Sequence, residues 1–260
     1  MAFINCGFFS EVLGINTSMN VILPQQTFSQ IGIKNKSFGK KHPVLYLLHG
    51  LSDDHTIWMR RTAIERHVAG YDIAVIMPCV QRSFYTDMSK GYRYWTFISE
   101  ELSAIARSFF PLSDRREDNF VAGLSMGGYG AFKLAMSCPD KFAAGASLSG
   151  AMDIVNPEHA EFFQPEEYNN IFGNIDNVSG SKNDLFFLAD RLAAYKGDKP
   201  KLYQCCGTED SLYEENIKFR DYCKNANLEI TYEEEAGIHA WGYWDKKIQR
   251  VLEWLPLQKK

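Results

Sequence analysis

Residues 123–127 read G-x-S-x-G and constrain the fold more than any other stretch of the chain. They follow a short apolar run at 119–122 and precede residues 126–136, whose apolar side chains recur at helical spacing. A serine between glycines at the junction of a buried strand and a helix is typical of a sharp, strained turn. Such a turn exposes the Ser125 hydroxyl at the positive end of the helix. A second interpretation stays open, in which Ser125 only caps the helix.

The rest of the chain alternates between apolar runs of strand length and longer segments with helical periodicity. This alternation predicts the α/β fold class, with a mostly parallel central sheet and helices on both faces. No repeat or linker interrupts it, so we expect one domain over residues 1–260. The predicted strands are 3–9, 19–23, 43–48, 72–77, 119–122, 142–148, 201–206 and 228–232. The predicted helices are 57–68, 92–109, 126–136, 184–195, 212–226 and 241–254.

Residues 149–183 break this alternation. The segment contains prolines, glycines and several aromatic residues, and it is long for a connection within a compact domain. Two interpretations explain it equally well: a cap-like insertion at about residues 150–183, or an irregular surface excursion with its own small core. Its aromatic residues include Phe162, Phe163, Tyr168 and Phe172.

Charge and hydropathy exclude several classes of protein. The net charge is −4 and no basic stripe is present, so we expect no nucleic-acid partner. No apolar stretch approaches the roughly 20 residues that span a bilayer, and the N-terminal residues lack the basic and apolar regions of a signal peptide. The six cysteines have no metal-binding spacing. We therefore expect a cytoplasmic protein with reduced thiols, no metal and no membrane partner.

Two histidines follow Ser125 in the chain, His159 and His239. A serine hydroxyl becomes a good nucleophile only when a base takes its proton, and a histidine held by a carboxylate commonly does so. His159 lies in the irregular segment, whereas His239 follows the last predicted strand and opens the last predicted helix, where this kind of fold places its base. We expect His239 to be the base; a capping or core histidine is the alternative.

The carboxylate that holds the base is expected on the loop after the strand that lies between Ser125 and His239 in the chain. That strand ends at Cys206, and Asp210 follows it in the loop. The Glu209 carboxylate could also hold a histidine, but a side chain one position away on a turn points in a different direction from that of Asp210. Asp210 also fits a helix cap, because the next predicted helix begins near residue 212.

These residues make the chain resemble the esterase D branch of the alpha/beta-hydrolases and, within it, the small bacterial tributyrin esterases. The resemblance extends from residue 49 to residue 244. The segments that carry it are His49-Gly-Leu51, Ser83-Phe-Tyr-Thr-Asp87, Gly123-Leu-Ser-Met-Gly-Gly-Tyr-Gly130, Gly207-Thr-Glu-Asp210 and His239-Ala-Trp-Gly-Tyr-Trp244.

The resemblance implies an alpha/beta-hydrolase fold and a serine carboxylesterase that hydrolyses short-chain acyl esters, acetyl to butyryl, without a cofactor. It implies a catalytic triad of Ser125, Asp210 and His239. It also implies an oxyanion hole formed by the backbone amides of Leu51 and Met126. We interpret His49 as structural.

One departure from the family bears on the substrate. The S-formylglutathione hydrolases of this branch carry a cysteine shortly after the glycine–leucine pair, whereas residues 51–54 read Leu-Ser-Asp-Asp. This disfavours formylglutathione as the main substrate. An S-formylglutathione hydrolase, or another thioesterase or acyltransferase, is nevertheless the alternative, because all of these enzymes form an acyl-enzyme. The presence of all three triad residue types disfavours a non-catalytic binding protein.

The loop at 82–87, residues 162–172 and Trp241 supply bulky side chains that are expected to close over the acyl side of Ser125. The substrate pocket expected there includes Tyr85, Phe162, Phe163 and Trp241. A pocket filled with aromatic side chains favours short acyl chains, because a longer chain must displace packed groups. The expected partner is a small-molecule ester. The extra surface of residues 149–183 could also serve a homo-oligomer.

Overall fold

The computed structural model describes residues 1–29, 31, 41–156, 163–164 and 166–257. Eight strands of this part of the chain form one sheet: β1 (Ala2–Ser10), β2 (Ile15–Leu23), β3 (Val44–Leu48), β4 (Ala74–Pro78), β5 (Asn119–Leu124), β6 (Ala144–Leu148), β7 (Lys201–Gly207) and β8 (Thr231–Glu235). Their order across the sheet is β1-β2-β4-β3-β5-β6-β7-β8.

Strand direction decides where the connecting loops gather. β1 and β2 form an antiparallel hairpin, and β2 pairs antiparallel with β4. The strands from β3 to β8 run parallel to one another. Their carboxyl ends therefore lie along one edge of the sheet, and the loops that follow them collect there. The predicted α/β fold class, a mostly parallel sheet of the alpha/beta-hydrolase type, is confirmed.

Helices cover both faces of the sheet. Alternate residues of β3 point to the two faces: Tyr46 packs in one apolar core, and Leu45 and Leu47 pack in the other. The helices are α1 (Ile57–Arg61), α2 (Ile64–Val68), α3 (Tyr94–Thr96), α4 (Leu102–Phe109), α5 (Met126–Ser137), α6 (Glu167–Phe172), α7 (Leu185–Ala194), α8 (Tyr213–Asn225) and α9 (Trp241–Trp254). The core that contains Tyr46 also takes in α4, α5, α7 and α8, and the core that contains Leu45 and Leu47 takes in α1, α2 and α9.

The predicted helix at 57–68 is divided into α1 and α2. Thr62, at the break, has an extended backbone with φ −133° and ψ 170°. Its hydroxyl donates to the Trp58 carbonyl at 2.6 Å and accepts from the Ile64 amide at 3.2 Å. A threonine that satisfies backbone groups in this way competes with continued helix, which explains the break.

The predicted helix at 92–109 is also irregular. A π-helical turn, Phe97–Glu101, lies between α3 and α4. The carboxylate of Glu101, at the end of this turn, accepts hydrogen bonds from the amides of Glu11 and Val12 at 2.9 and 3.2 Å. Glu101, the last residue of the π-helical turn, therefore holds the loop of the β1–β2 hairpin.

The last strand begins three residues later than the prediction of 228–232. β8 includes three consecutive glutamates, which suit an edge strand because basic residues of α8 and α9 pair with them. Glu233 accepts from Lys247 at 3.3 Å and from Arg250 at 3.0 Å. A run of acidic residues lacks the apolar pattern of a buried strand. The prediction therefore placed the strand on the apolar residues that precede β8.

Residues 166–183 contain α6 and a short 3-10 turn, Ile175–Asn177, within the segment predicted to be irregular. Rings of this segment pack together and on Phe84: the Phe84–Phe163 and Phe84–Phe172 centroids are 5.2 and 5.5 Å apart. Asp184 is buried and caps α7 by accepting from the Phe186 amide at 2.9 Å. The cap-like insertion itself stays a prediction.

No helix among the described residues is long and apolar enough to cross a membrane.

Candidate active site

Ser125 stands on a strained turn between β5 and α5. Its backbone has φ 53° and ψ −122°, a conformation rare for residues other than glycine. A Cβ on Gly123 would lie 2.2 Å from the Gly127 carbonyl oxygen, and one on Gly127 would lie 2.6 Å from the Leu48 oxygen. Both glycines are therefore required for the turn to form. The Ser125 side chain makes no capping hydrogen bond with α5, which removes the interpretation that it is only a helix cap.

His239 and Asp210 lie in hydrogen-bonding contact with each other and with Ser125. The Nε2 atom of His239 is 3.0 Å from the Ser125 Oγ. Its Nδ1 atom is 2.9 and 3.0 Å from the two oxygens of Asp210. An ionised carboxylate only accepts hydrogen bonds, so Nδ1 carries the proton and Nε2 is left to accept from the serine hydroxyl. The structure therefore brings the three predicted residues together in the order serine hydroxyl, imidazole and carboxylate.

Asp210 makes both of the contacts that the sequence left as alternatives. Besides His239, its carboxylate accepts a hydrogen bond from the Leu212 amide at 2.9 Å, just before α8. Its side chain is completely buried, whereas 29% of the His239 side chain is exposed. Glu209 points elsewhere and accepts from the Gly237 amide at 2.6 Å. Glu209 thus holds the loop that leads to His239, and Asp210 holds the imidazole.

Trp244 packs against the imidazole of His239, a contact that the sequence did not predict. The two rings are perpendicular, with centroids 4.8 Å apart. The indole N–H of Trp244 donates to the Ser149 hydroxyl at 3.1 Å, and the ring is buried. The signal was present in the sequence, because Trp244 begins the second turn of a helix that starts two residues after His239.

His49 is locked in one orientation at the end of β3. Its Nε2 accepts from the Val80 amide at 3.1 Å, so its Nδ1 is the protonated nitrogen and donates to the Gly50 carbonyl at 2.7 Å. The Tyr85 hydroxyl donates to the His49 carbonyl at 2.9 Å. Burial lowers the pKa of His49 to about 4, so the ring is neutral at pH 7. These contacts fix the loop that carries Leu51.

Two backbone amides beside Ser125 have no protein acceptor within the described parts of the chain. They belong to Leu51, after β3, and Met126, the first residue of α5. The first amides of a helix have no partner inside that helix, and the helix dipole adds positive potential there. Leu51 and Met126 both line the cavity at Ser125. The pair could donate to a negative oxygen that develops in this cavity.

The cavity at Ser125 has a volume of about 490 Å³, which suits a small organic molecule. We call the lining residues after β3, β5, β6, β7 and β8 the triad wall, and Arg82 and Phe84, from the loop after β4, the cover wall. The triad wall consists of Gly50, Leu51, Ser52, Asp53, Leu124, Ser125, Met126, Ala151, Ser211, Leu212, His239, Ala240, Trp241 and Trp244.

The structure places the predicted pocket residues in different surroundings. Trp241 lines the cavity, but Tyr85 and Phe163 do not. Tyr85 has φ 50°, and its ring lies within 2.4 Å of where a Cβ on Gly130 would be, so it is directed into the core beneath the loop. Phe163 packs on Phe84 from outside the lining. Phe162, like the alternative base His159, lies outside the described residues.

The cover wall is attached to residues 166–172 by an ion pair and by rings. Arg82 forms a two-point ion pair with Glu167 of α6, and the Nη2–Oε2 distance is 2.7 Å. The Ser89 and Lys90 amides donate to carbonyls of α6 at 3.0 and 2.9 Å. Arg82 and Phe84 belong to the loop at 82–87, which was expected to close over Ser125, but which of its side chains line the cavity depends on how two loops meet.

Lys133 of α5 is completely buried beneath the cover wall. Its Nζ donates to the Tyr85 carbonyl at 3.0 Å, to the Thr86 hydroxyl at 2.8 Å and to the Asn183 side chain at 2.8 Å. Burial lowers the pKa of Lys133 well below that of an exposed lysine. The amine thereby fastens the loop after β4 and the end of the 149–183 segment to the helix that begins at the nucleophile turn.

No group of three or more His, Cys, Asp and Glu side chains that could hold a metal ion occurs in the part of the chain described by the structure.

Comparison with known proteins gives consistent matches. Residues 10–255 match the model of the family Esterase, described as "Putative esterase". The acetyl esterase of Caldicellulosiruptor saccharolyticus is 32% identical over 271 residues, covering 98% of this chain and 98% of its own. Two solved structures from Staphylococcus aureus each cover 98% of both chains. One is the substrate-bound fluorophosphonate-binding serine hydrolase F, with 37% identity and a TM-score of 0.87. The other is the S-formylglutathione hydrolase apoenzyme, with 38% identity and a TM-score of 0.86.

Proposed function

Because this chain belongs to the Esterase family and is a carboxylesterase of the serine-hydrolase type, we propose that it hydrolyses short-chain acyl esters through a triad of Ser125, His239 and Asp210. The observation that carries this proposal is the unbroken hydrogen-bonded path from the Ser125 hydroxyl through the imidazole to the buried carboxylate of Asp210.

In the proposed reaction, the Ser125 oxygen attacks the ester carbonyl while Nε2 of His239 takes the hydroxyl proton. Asp210 stabilises the imidazolium that forms, because its carboxylate already accepts from Nδ1. The imidazolium then protonates the leaving alcohol. In the second half of the reaction, His239 activates a water that hydrolyses the acyl-enzyme.

The negative oxygen of each tetrahedral intermediate is proposed to accept hydrogen bonds from the Leu51 and Met126 amides. Both amides lack a protein acceptor among the described residues and belong to the cavity lining. Removing one donor of such an oxyanion hole in other enzymes costs about 10²–10³ in kcat. The rigid bonding of His49 keeps the Leu51 amide in place without reorganisation during the reaction.

The first test is covalent labelling by a fluorophosphonate, which reacts only with an activated serine. Ser125→Ala should abolish labelling and reduce turnover to the level that the oxyanion hole and binding alone provide, about 10³–10⁴-fold over the uncatalysed reaction. Ser211→Ala is the matched control, because Ser211 lines the same cavity. This variant should keep both the covalent labelling and the turnover of the wild type. Labelling that survives in Ser125→Ala would refute the assignment.

The base is tested in the same way. His239→Ala should remove activity, whereas His159→Ala should leave it unchanged. An essential His159 would mean that the contact between His239 and Ser125 has no catalytic role.

The proposed acyl specificity is acetyl to butyryl, supported by the bulk of Phe84, Leu212 and Trp241 in the lining. Each methylene added to the acyl chain first gains about 0.8 kcal/mol from burial. Once the chain reaches a packed side chain, a further methylene costs about 1–3 kcal/mol. For p-nitrophenyl esters, kcat/KM should therefore fall beyond about six to eight carbons. Phe84→Leu should shift the maximum to longer chains. A wild-type maximum at about ten carbons or more would contradict a closed acyl site.

A thioester is the second candidate substrate, because the solved structure with 38% identity is an S-formylglutathione hydrolase. Against it stands the absence of cysteine from residues 51–54. Both reactions pass through an acyl-enzyme on the same serine, so labelling does not distinguish them. Parallel measurement of kcat/KM for p-nitrophenyl acetate and S-formylglutathione does. A much higher value for the thioester would make it the substrate class.

A further inference from the structure

The cavity contains a carboxylate to which the proposed reaction assigns no role. Asp53 is half-buried, lines the cavity and lies two residues after Leu51. A Cβ placed on Gly50 would be 3.0 Å from the Asp53 Oδ2 and 3.8 Å from the Ser125 Cβ. The carboxylate and the nucleophile therefore flank the same glycine, and the acidic group is close to any ester carbonyl bound there.

No basic nitrogen forms an ion pair with Asp53 in the described ranges of the chain. Burial raises the pKa of Asp53, a hydrogen bond from the Gly50 backbone amide lowers it, and the neighbouring charges of Asp54 and Arg61 act in opposite directions. The side chain is only half-buried, and contact with solvent favours the ionised form of a carboxyl group. Asp53 thus contributes a negative charge that no contacting cation cancels.

The other charged groups of the lining do not offset it. Arg82 is the cationic side chain of the lining, and Glu167 forms a two-point ion pair with it. His239 is neutral whenever it is ready to accept the serine proton. Among the charged side chains of the described lining, Asp53 is therefore the one whose formal charge no ion pair offsets beside the oxyanion hole.

Building on the proposed esterase function, we propose that Asp53 determines the charge class of the substrate. It favours neutral and cationic esters and rejects esters that carry an anionic group near the scissile carbonyl. At separations of several ångströms in a partly solvated cavity, one unit charge changes the relative kcat/KM of charged and neutral esters by about threefold to tenfold. Asp53 is thus a specificity residue, and it takes no part in proton transfer.

The test uses two pairs of esters that are similar in shape and differ in charge. Acetylcholine is compared with 3,3-dimethylbutyl acetate, in which carbon replaces the cationic nitrogen. The p-nitrophenyl hemisuccinate anion is compared with neutral p-nitrophenyl butyrate. Asp53→Asn should lower the cation-to-neutral ratio of kcat/KM and raise the anion-to-neutral ratio, each by about threefold to tenfold. Asp53→Ala should move both ratios in the same directions, because the charge and not the shape is responsible.

Asp54→Asn is the matched control. Asp54 is the adjacent carboxylate, but it is exposed, bonds the Thr56 amide and hydroxyl at 2.8 and 2.6 Å, and does not belong to the lining. It should leave both ratios unchanged. In about 1 M salt the wild-type ratios should move toward those of Asp53→Asn, because screening shortens the reach of the charge to about 3 Å.

Two outcomes contradict the proposal and can be told apart. If wild type hydrolyses the neutral esters and Asp53→Asn alters all four rates by the same factor, Asp53 only supports the loop, and this inference alone is overturned. If wild type neither hydrolyses the neutral esters nor reacts with a fluorophosphonate, the proposed function fails and this inference fails with it.

Discussion

The triad wall is held by backbone hydrogen bonds between neighbouring strand ends, whereas the cover wall is held mainly by side chains. The Ser125 amide donates to Leu148 at the end of β6, and the Ser149 amide donates to Cys205 of β7. The Thr208 amide in turn donates to Glu235 of β8 at 3.0 Å. The ladder of the sheet thus continues into the loops that carry the reacting groups.

Arg82, Phe84 and their partners have no such ladder. Besides two backbone hydrogen bonds with α6, this region depends on the Arg82–Glu167 ion pair and on tilted and edge-to-face contacts between aromatic rings. Phe84 also has a left-handed backbone, with φ 49°. Contacts of this kind open at a lower free energy than a sheet ladder does. We therefore expect changes in the triad wall to alter kcat, and changes in the cover wall to alter KM and selectivity.

The largest expected effect comes from Asp210→Asn. An amide can donate to Nδ1 of His239, which would leave the proton on Nε2 and prevent it from accepting from Ser125. We expect kcat to fall by about 10⁴ with the fold intact, as measured by steady-state kinetics and circular dichroism. Glu209→Gln is the control, because Glu209 is adjacent and its carboxylate accepts from the Gly237 amide of the histidine loop. Comparable losses in the two variants would mean that loop position, and not tautomer control, limits activity.

The second prediction concerns His49, which fixes the loop that carries Leu51. It is tested by measuring how the free energy of unfolding changes at acid pH. The unfolded chain binds a proton at His49 below about pH 6.5. The folded chain binds it only below about pH 4. Between these values the unfolded state binds more protons, so the free energy of unfolding falls as the pH falls.

The His49 contribution over this window is about 3 kcal/mol. His49→Gln keeps one donor and one acceptor but does not titrate. Urea denaturation at several pH values should give a correspondingly shallower loss of stability for this variant between about pH 6.5 and 4. Parallel pH dependences of the two proteins would exclude His49 as a buried neutral imidazole.

The third prediction concerns the support of the base. Trp244→Phe keeps an aromatic ring beside His239 but removes the N–H that donates to Ser149. A lost hydrogen bond of this kind is worth about 1 kcal/mol, so we expect kcat to fall about fivefold with KM unchanged. Trp254→Phe removes a similar indole hydrogen bond, to Thr231 at 3.1 Å, from the other end of α9. That control should keep wild-type kcat; an equal loss there would indicate a general effect on the helix.

The difference between the triad wall and the cover wall also explains how much of the fold and of the site could be predicted from the sequence. Ser125, Asp210 and His239 could be found because each follows a recognisable strand, and parallel strands bring such positions to one edge. Periodicity also predicted α9 with its bounds. It placed β8 too early, because the stabilising partners of its glutamates lie on a helix farther along the chain.

The errors in the pocket have a related cause. Tyr85 was predicted to line the pocket, but a left-handed backbone directs its ring into the core. Asp53 was not predicted, and within the loop at 82–87 the sequence did not single out Arg82 and Phe84 as lining residues, since hydrophobic patterns do not report how separate loops meet. Local sequence therefore determines the triad wall far more directly than the cover wall.

The smallest expected effect is that of breaking the link between the cover wall and α6. Arg82→Gln removes the ion pair with Glu167, in which 38% of the arginine side chain is exposed. Exposed pairs are worth about 0–1 kcal/mol, so KM for p-nitrophenyl butyrate should rise by at most about fivefold while kcat stays within error. Lys41→Gln is the control, because the Lys41–Asp114 pair is a surface ion pair away from the cavity lining, and it should change neither constant. A fall in kcat of Arg82→Gln with KM unchanged would contradict the division between the two walls, because the cover wall would then act on the reacting groups and not on substrate retention.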